Sequence, residues 1–392
     1  MPTRRSCWKG CWRSLKFGDL AHAGRPVPYD YQRPPQPSLI PLLLQFQLMS
    51  RILYAIQGTG NGHLSRALDV VPLLQARCDQ LDVLVSGPPA DLPLPFKVKY
   101  QAQGMGFVFG KKGGINFVKT FSQFNSARFL REVQQLPVES YDLVISDFEP
   151  VSSWACKLRH VPCVALSHQS AVLNPAAPRP DDENPAGRAV LKHYAPSTAQ
   201  YGFHFQRYAP EVFTPVIRQQ VRELNPTNEG HYTVYLPAYE EEILVERLQY
   251  LSRSVRWEVF SKHSHTPAVY GNVRVWPVSG ADFIDSLARS AGVLCGAGFE
   301  TPAEALYLGK KLLVMPMKQQ YEQQCNAAAL AKMGVPVIKN FKDKSLDRVD
   351  QWLHKDDTVP VDYPDQTAAV IDQLLREQLQ RNGVGARQRL SR

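Results

Sequence analysis

The residues with the clearest capacity for chemistry lie between positions 296 and 326. Gly296-Ala297-Gly298 follows a short apolar run and predicts a turn that lets the backbone approach a ligand closely. Thr301-Pro302-Ala303-Glu304 comes next and predicts a helix with proline at its first position. Because free amides at a helix N-terminus attract phosphate, this segment predicts an anion-binding site.

Polar side chains follow the next predicted strand, which runs from Lys311 to Pro316. They carry amide and carboxylate groups and are Gln319, Gln320, Glu322, Gln323 and Asn326. Such groups suit hydroxyl-rich ligands. The two segments therefore predict an anion site beside a polar pocket of the size of a sugar.

Together these segments resemble the nucleotide-sugar signature of GT-B glycosyltransferases, in which a glycine turn, a helix, a strand and a polar loop follow one another. The matching residues are Gly298, Thr301, Glu304, Ala305, Gly309, Pro316, Glu322, Gln323, Asn326 and Ala327. Because several elements match at the right spacing, the likeness is far more specific than a lone glycine motif.

The resemblance implies a donor-binding role for residues of both segments. The diphosphate is expected to bind at Gly296, Ala297, Gly298, Phe299 and Thr301. Glu304 is expected to bind the ribose hydroxyls. Glu322 and Gln323, with Gln320 beside them, are expected to bind the hexose hydroxyls. Two alternative interpretations stay open. Thr301 and Glu304 also form a capping box on sequence alone, and Glu322 with Gln323 is also typical of a solvated helix start.

A second glycine-rich loop, with Gly58, Gly60 and Gly62, follows the first predicted strand. Open α/β sheets bind ligands at the carboxyl ends of their strands, so this loop is well placed for a substrate. It is not a dinucleotide fingerprint, because the third glycine of that motif would fall on His63.

The loop resembles the G-x-G-x-G-H loop of GT-B enzymes that act on lipid-linked or lipophilic acceptors, such as the peptidoglycan N-acetylglucosaminyltransferase and plastid galactolipid synthases. Its longer form, G-N-G-H-x-x-R-A, is similar to that of a loosely characterised bacterial group of GT-B proteins. The resemblance implies that Gly60, Asn61 and Gly62 lie on the acceptor side and that His63 is the catalytic base, since imidazole titrates near working pH. In the alternative interpretations His63 hydrogen-bonds a loop carbonyl or contacts the donor phosphate.

Three further candidates follow predicted strands in the first half of the chain. Asp147 and Glu149 come after an apolar run that ends at Ser146, and His168 comes after one that ends at Ser167. Either acidic residue would orient His63 or act as the base itself, and His168 would bind the acceptor. Turn and cap roles are the alternative for all three.

Strand and helix patterns alternate from Arg51 onward, which predicts an α/β protein with two Rossmann-like, doubly wound parallel sheets. The resemblance adds that the two domains face each other across a cleft. The predicted strands are 51–56, 82–86, 96–101, 142–146, 161–166, 231–236, 255–260, 272–276, 292–295, 311–315 and 335–338.

Four segments are expected along the chain. Residues 49–215 form the acceptor domain, 216–365 the nucleotide-sugar domain, and 366–392 a closing helix and tail. Residues 1–48 are rich in proline and arginine and lack sustained periodicity, so we expect a disordered or non-native extension there.

The formal charge of +9 is uneven, because residues 1–48 hold seven basic and two acidic side chains and hence +5 of it. The mildly basic remainder suits an anionic nucleotide-sugar or peripheral contact with an acidic membrane surface, and the lack of a dense basic stripe argues against nucleic acid. Seven scattered cysteines favour a cytoplasmic protein, peripheral at the inner membrane face in one interpretation. Asp181-Asp182-Glu183 lacks the D-x-D form of metal-dependent GT-A enzymes, so we expect neither metal nor cofactor.

The resemblance implies an inverting, metal-independent glycosyltransferase that moves a hexose from a nucleotide diphosphate sugar, UDP-linked in our interpretation, to a hydroxyl acceptor such as a lipid or a glycan. Two other functions stay open. A UDP-sugar epimerase of GT-B fold would use the same donor site with Asp147, Glu149 and Glu322 as additional carboxylates. A non-catalytic protein that binds nucleotide-sugars or lipids would need no base at His63.

Overall fold

The computed structural model describes residues 50–59, 61–88, 94–105, 109–110, 114–115, 125–251 and 254–381. The prediction for residues 1–48 and the acceptor-side role of Gly60 lie outside these described residues.

The first half of the chain forms a seven-stranded sheet in which every pairing is parallel. Its spatial order is β3-β2-β1-β6-β7-β8-β9, and a two-stranded antiparallel hairpin of β4 and β5 stands apart from it. The strands are β1 Arg51–Gln57, β2 Gln80–Ser86, β3 Tyr100–Ala102, β4 Phe109–Gly110, β5 Gly114–Ile115, β6 Leu143–Asp147, β7 Cys163–Ser167, β8 Ala199–Phe203 and β9 Val212–Phe213.

Helices cover both faces of this sheet, as a parallel sheet requires. They are α1 Asn61–Gln75, α2 Ser126–Gln135, α3 Pro150–Arg159, α4 His168–Leu173, α5 Pro185–Tyr194 and α6 Gln219–Arg222, with a 3-10 turn at Val138–Ser140. Alternate residues of β1 divide between the faces: Leu53 and Ala55 pack beneath α2 and α3, whereas Ile52 and Ile56 pack beneath α1.

The second half forms a six-stranded sheet of order β12-β13-β11-β10-β14-β15, in which only β12 pairs in the antiparallel sense. Its strands are β10 His231–Tyr235, β11 Arg256–Ser261, β12 Ala268–Tyr270, β13 Val273–Pro277, β14 Gly292–Gly296 and β15 Lys311–Met315. Its helices are α7 Glu241–Leu251, α8 Gly280–Arg289, α9 Glu300–Tyr307, α10 Tyr321–Lys332 and α11 Asp343–Leu353.

The terminal helix α12, Thr367–Arg381, packs against α1 of the first sheet. Arg77 Nε donates to Asp372 Oδ1 at 2.5 Å, and the Tyr201 hydroxyl donates to Glu377 Oε2 at 2.5 Å. One apolar cluster is continuous from Ile56 and Leu64 of the first sheet and α1 to Val293 of the second sheet and Leu374 of α12. The last helix therefore ties the two sheets together.

Each sheet has a point where the direction of strand order reverses, between β1 and β6 in the first and between β10 and β14 in the second. Ligands of open α/β sheets bind outside the carboxyl ends of the strands at such a point. The two-sheet prediction is confirmed. Ligand sites are therefore expected at the residues that follow Gln57, Asp147, Tyr235 and Gly296.

Two local expectations were wrong. Residues 335–338 contribute only an isolated bridge between Val314 and Val337 in place of a strand, in keeping with Pro336, which has no N–H for a ladder. The expected strand 96–101 is confined to Tyr100–Ala102. Within the described ranges, no helix combines the length and apolar character that a membrane span requires.

Candidate active site

His63 and Asp147 form a hydrogen-bonded pair at the switch point of the first sheet. His63 lies in the first turn of α1, and Asp147 is the last residue of β6. His63 Nδ1 lies 2.8 Å from Asp147 Oδ1, and the Asp147 side chain is fully buried. A carboxylate at Nδ1 keeps the proton on that nitrogen and leaves Nε2 as the hydrogen-bond acceptor.

Arg66 holds the other side of the Asp147 carboxylate. Its Nη2 donates to Oδ1 at 2.6 Å and to Oδ2 at 2.8 Å, and its Nε donates to Oδ2 at 3.2 Å. Burial alone would raise the pKa of Asp147, but Arg66 and then His63 hold that pKa below its usual value. Asp147 is therefore ionised at neutral pH and positions the imidazole.

The same guanidinium connects the two sheets, because Arg66 Nη1 donates to Glu300 Oε1. Glu300 is the first residue of α9, on the second sheet. Burial raises the pKa of Glu300 to about 7, although Arg66 opposes the rise. A chain of hydrogen-bonded side chains thus runs from His63 through Asp147 and Arg66 to Glu300 at the start of α9.

A pocket of about 110 Å³ lies in front of His63, with walls from both halves of the chain. Phe148 and Tyr194 line one side, and the ring of Phe148 is nearly parallel to that of His63, with 9° between the planes. Phe148 has φ of 55°, a left-handed conformation that is unusual for a bulky side chain. That conformation turns the ring between the His63–Asp147 pair and Tyr194, whose ring centroid lies 4.7 Å away.

Gln169 and Glu322 meet beside His63 in the lining of this pocket. Gln169 Nε2 lies 3.3 Å from His63 Nε2 and donates to Glu322 Oε2 at 3.1 Å. Gln320 lines the pocket beside them. The buried oxygens Gln169 Oε1 and Gln320 Oε1 have no hydrogen-bond partner within the described part of the chain. Two carboxamide oxygens and a carboxylate are therefore placed to accept hydrogen bonds from ligand hydroxyls.

A smaller pocket of about 90 Å³ lies at the switch point of the second sheet. Gly296, Gly298, Thr301 and Gln323 line it, together with aromatic and apolar residues that follow β10. Helix α9 begins at Glu300, and no side chain caps its first turn. Thr301 therefore lies inside the helix and is not its N-cap, so the Thr301–Glu304 capping box, the alternative interpretation, is wrong.

Comparison with known proteins identifies the family. Residues 50–356 match the family model described as glycosyl transferase family 1. The chain belongs to this family. No curated protein matches the sequence.

Solved structures show that this family 1 protein has the GT-B fold. The structure of Arabidopsis thaliana UGT89C1 complexed with UDP-L-rhamnose gives a TM-score of 0.53 at 13% identity, over 84% of this chain and 99% of that chain. The glycosyltransferase of kitacinnamycin gives 0.51 at 13% identity, over 85% and 96%. MurG from Acinetobacter baumannii gives 0.46 at 15% identity, over 82% and 95%.

In this glycosyltransferase the structure does not bring Glu149 to His63. Glu149 precedes α3, and its two carboxylate oxygens accept from Val151 N at 2.8 Å and Ser152 N at 2.6 Å. Its side chain is completely buried as the cap of that helix. Its geometry is that of the cap interpretation, whereas Asp147 contacts the imidazole.

His168 lies inside the contact between the two sheets. Its Nδ1 lies 2.8 Å from the Phe203 carbonyl oxygen, its Nε2 lies 2.7 Å from Asn326 Oδ1, and its ring stacks on Phe299 at 3.8 Å. Burial lowers the pKa of His168. Its side chain is only 1% exposed and lines neither pocket, so its expected contact with the acceptor stays a prediction.

Glu304 forms a bidentate ion pair with Arg218, and its expected contact with the ribose stays a prediction. Arg218 Nε donates to Oε1 at 2.5 Å and Arg218 Nη2 donates to Oε2 at 2.7 Å. Gln323 Oε1 accepts from Met317 N at 2.9 Å, at the edge of the second pocket. The sequence interpretation did not include Arg218.

Ala297 and Phe299 are buried, whereas Asn61 and Gly62 begin α1 and are partly exposed. An added Cβ at Gly62 would lie 3.7 Å from Glu300 Cδ, so this loop directly faces the donor helix. Among the residues that the structure describes, no three His, Cys, Asp or Glu side chains are arranged to hold a metal ion.

Sequence reasoning also missed Arg66 and Glu300. Arg66 stands three residues after His63 in the G-N-G-H-x-x-R-A pattern, so both side chains project from one face of α1. That spacing was the available signal for Arg66. Glu300 had no comparable signal, because its partner is 234 residues away in the chain.

Proposed function

We propose that the protein transfers a hexose from a UDP-sugar to a hydroxyl acceptor, with inversion at the anomeric carbon and without a metal ion. The observation that carries this proposal is the His63–Asp147 pair, whose second imidazole nitrogen lies at the wall of a pocket shared by both halves of the chain. Across that pocket stand the carboxylate and carboxamide groups of Glu322 and Gln320.

In the proposed reaction the acceptor hydroxyl donates its proton to His63 Nε2 while its oxygen attacks the anomeric carbon. The new carbon–oxygen bond forms on one face as the bond to the diphosphate breaks on the other, so UDP leaves with the electron pair. The proton stays on the imidazole, and Asp147 stabilises the imidazolium that forms. One displacement of this kind inverts the configuration.

The leaving diphosphate would bind at the start of α9. Backbone amides and the positive end of the helix dipole stabilise negative charge there, and they take the role that a metal ion has in other transferases. The Glu300 carboxylate would oppose this if it carried a bare charge. Arg66 donates a hydrogen bond to Glu300, and the pKa of about 7 leaves the Glu300 carboxyl partly protonated at neutral pH.

The donor is named as a UDP-sugar for two reasons. The second pocket places Tyr235 and Tyr239 beside Gly298 and Thr301, which suits a base and a diphosphate at neighbouring positions. The Arabidopsis enzyme of similar fold is a complex with UDP-L-rhamnose. A cytoplasmic location is part of the same proposal, in keeping with the free thiols at Cys78, Cys156, Cys163, Cys295 and Cys325.

The test is a panel of nucleotide-sugars incubated with lipid and glycan extracts, with released UDP as the readout. We expect release from at least one UDP-sugar that needs both an acceptor and His63. Tight UDP binding with no release from any extract would contradict transfer and favour a binding protein. Free epimerised sugar formed without an acceptor would favour an epimerase.

A further inference from the structure

A second cavity, here called the side chamber, adjoins the catalytic pocket. Its volume is about 450 Å³, compared with about 110 Å³ for the pocket in front of His63. It lies between strands β6 to β8 and helix α5, where Ser146, Ala165 and Ser167 stand on one face of the sheet. These small side chains leave space that branched apolar residues would fill in an ordinary core.

The side chamber and the catalytic pocket share a wall made of Phe148, Gln169 and Leu191. Gln169 is only 4% exposed, and its Oε1 has no hydrogen-bond partner among the described residues. A buried carboxamide oxygen without a donor is costly, so a ligand hydroxyl at this wall would remove an existing deficit. The wall between the pocket and the side chamber therefore contains an acceptor, Gln169 Oε1, that a ligand hydroxyl can satisfy.

The side chamber is also electropositive. Arg188, Lys192 and His193 line it, and none of its lining residues is acidic. In the described part of the chain no carboxylate lies within ion-pair distance of Lys192 or His193. The carboxylate nearest to Arg188 is that of Glu183, at the long distance of 4.0 Å. The Lys192 ammonium, with the weakly paired Arg188 guanidinium beside it, favours an anionic ligand.

We infer that the side chamber is an acceptor subsite for a hydroxylated molecule that carries a phosphate or a carboxylate. The inference rests on the proposed function, because the reacting hydroxyl of that molecule must reach His63 Nε2. The rest of the acceptor extends past Phe148 and Gln169 into the side chamber. There the anionic group of the acceptor contacts Lys192 and the residues next to Lys192 on α5.

Three probes that differ only at one carbon test the inference: phenyl β-glucoside, its 6-carboxylate (phenyl β-glucuronide) and its 6-phosphate. Each is titrated into the full chain saturated with UDP, and binding is measured by calorimetry. We expect at least one anionic probe to bind roughly tenfold more tightly than the neutral probe, which is the scale of a pair of accessible ionic contacts. The anionic probe with the higher affinity shows whether the chamber prefers a carboxylate or a phosphate.

Lys192→Glu is the discriminating variant. We expect it to remove the preference for the anionic probes while the affinity for phenyl β-glucoside stays unchanged. Lys332→Glu is the matched control, because Lys332 is exposed and lines neither cavity. Ser197→Trp, which fills the chamber, should weaken all three probes without lowering the melting temperature by more than a few degrees.

Equal binding of the three probes, or an equal loss in Lys192→Glu and Lys332→Glu, would overturn the inference. UDP release from a UDP-sugar is measured with the same probes and distinguishes the two proposals. A charge preference in binding without UDP release supports an anion-binding chamber, and it contradicts transfer only if the lipid and glycan extracts also give no release. Release from every probe without a charge preference leaves transfer standing and contradicts the chamber.

Discussion

The two switch points of this protein have the same topology and opposite chemistry. In the first sheet the crevice between β1 and β6 holds three ionisable side chains that bond to one another, His63, Asp147 and Arg66. In the second sheet the crevice between β10 and β14 is lined by glycines, aromatic rings and Thr301, and no charged side chain lines its pocket among the described residues.

The difference shows what each task requires of a crevice. Proton transfer needs a side chain whose protonation state is set by fixed neighbours, so the first sheet provides a buried carboxylate and a guanidinium. Diphosphate recognition needs many donors in a small space, and backbone amides at a helix start provide them without any side chain. Under the proposed function, the same fold supplies catalysis from side chains in one crevice and recognition from the backbone in the other.

Removal of the imidazole should have the largest effect and should affect the first crevice alone. We expect His63→Ala to lower kcat by roughly 100-fold or more, because general base catalysis contributes about 10²–10⁴. UDP affinity should stay within about twofold of the wild type, since we propose that the nucleotide binds at the other sheet. Steady-state kinetics and UDP titration measure the two effects, with the exposed His265→Ala as control.

If UDP affinity falls together with turnover in His63→Ala, the division of labour between the crevices is wrong. His63 would then be a donor contact, as in the alternative interpretation. Asp147→Asn would be the next variant to compare, because it keeps the shape of the site and removes the charge that fixes the imidazole tautomer.

Glu304 offers the sharpest test of the second crevice. Glu304→Gln should destabilise the fold by about 3 kcal/mol, because it leaves the Arg218 guanidinium largely buried without its partner. If Glu304 also binds ribose, UDP affinity should fall roughly tenfold in Glu304→Gln and stay near normal in Arg218→Met, which keeps the carboxylate. Denaturant unfolding and calorimetry separate these effects, and equal UDP affinities in both variants would limit Glu304 to the ion pair.

The link between the two crevices should be visible in the pH dependence of stability. Glu300 has a folded-state pKa raised to about 7 by burial, so its contribution to stability is full below the unfolded-state pKa and is lost as pH rises through about 7. Glu300→Gln removes this loss. We expect the variant to gain stability relative to the wild type between pH 5 and pH 8, by up to about 3 kcal/mol. Urea titrations at each pH provide the measurement, and a constant difference would show that Glu300 does not titrate in this range.

The inner strands of both sheets could be predicted because each is a short, almost continuous apolar run between turn signals. Strands β8 and β9 were missed, since Ala199–Phe203 mixes polar and aromatic residues and Val212–Phe213 has only two residues. The expected strand 335–338 was wrong because the pattern of apolar residues around Pro336 ignores the missing N–H.

For the site, the position of a residue after a predicted strand showed which edge of the sheet the residue would occupy. That position could not show which side-chain atoms would come into contact. Asp147 and Glu149 are two residues apart, yet the left-handed backbone of Phe148 lies between them, and only Asp147 contacts the imidazole. The Arg66–Glu300 contact spans 234 positions and depends on how the sheets pack, which no local pattern contains.

The smallest effects we expect distinguish the glycines of the two loops. A Cβ on Gly58 would lie 2.8 Å from the Ser86 carbonyl oxygen, so Gly58→Ala should destabilise the fold by about 1–3 kcal/mol through overpacking. A Cβ on Gly298 meets nothing within 4 Å, so Gly298→Ala should change stability by less than about 0.5 kcal/mol. The added methyl would instead occupy space that the diphosphate needs, and UDP affinity should fall. Thermal melts and UDP titration of both variants measure the contrast. Unchanged UDP affinity in Gly298→Ala would mean that the glycine turn of the second sheet does not hold the diphosphate, and that recognition there does not depend on close approach of the backbone.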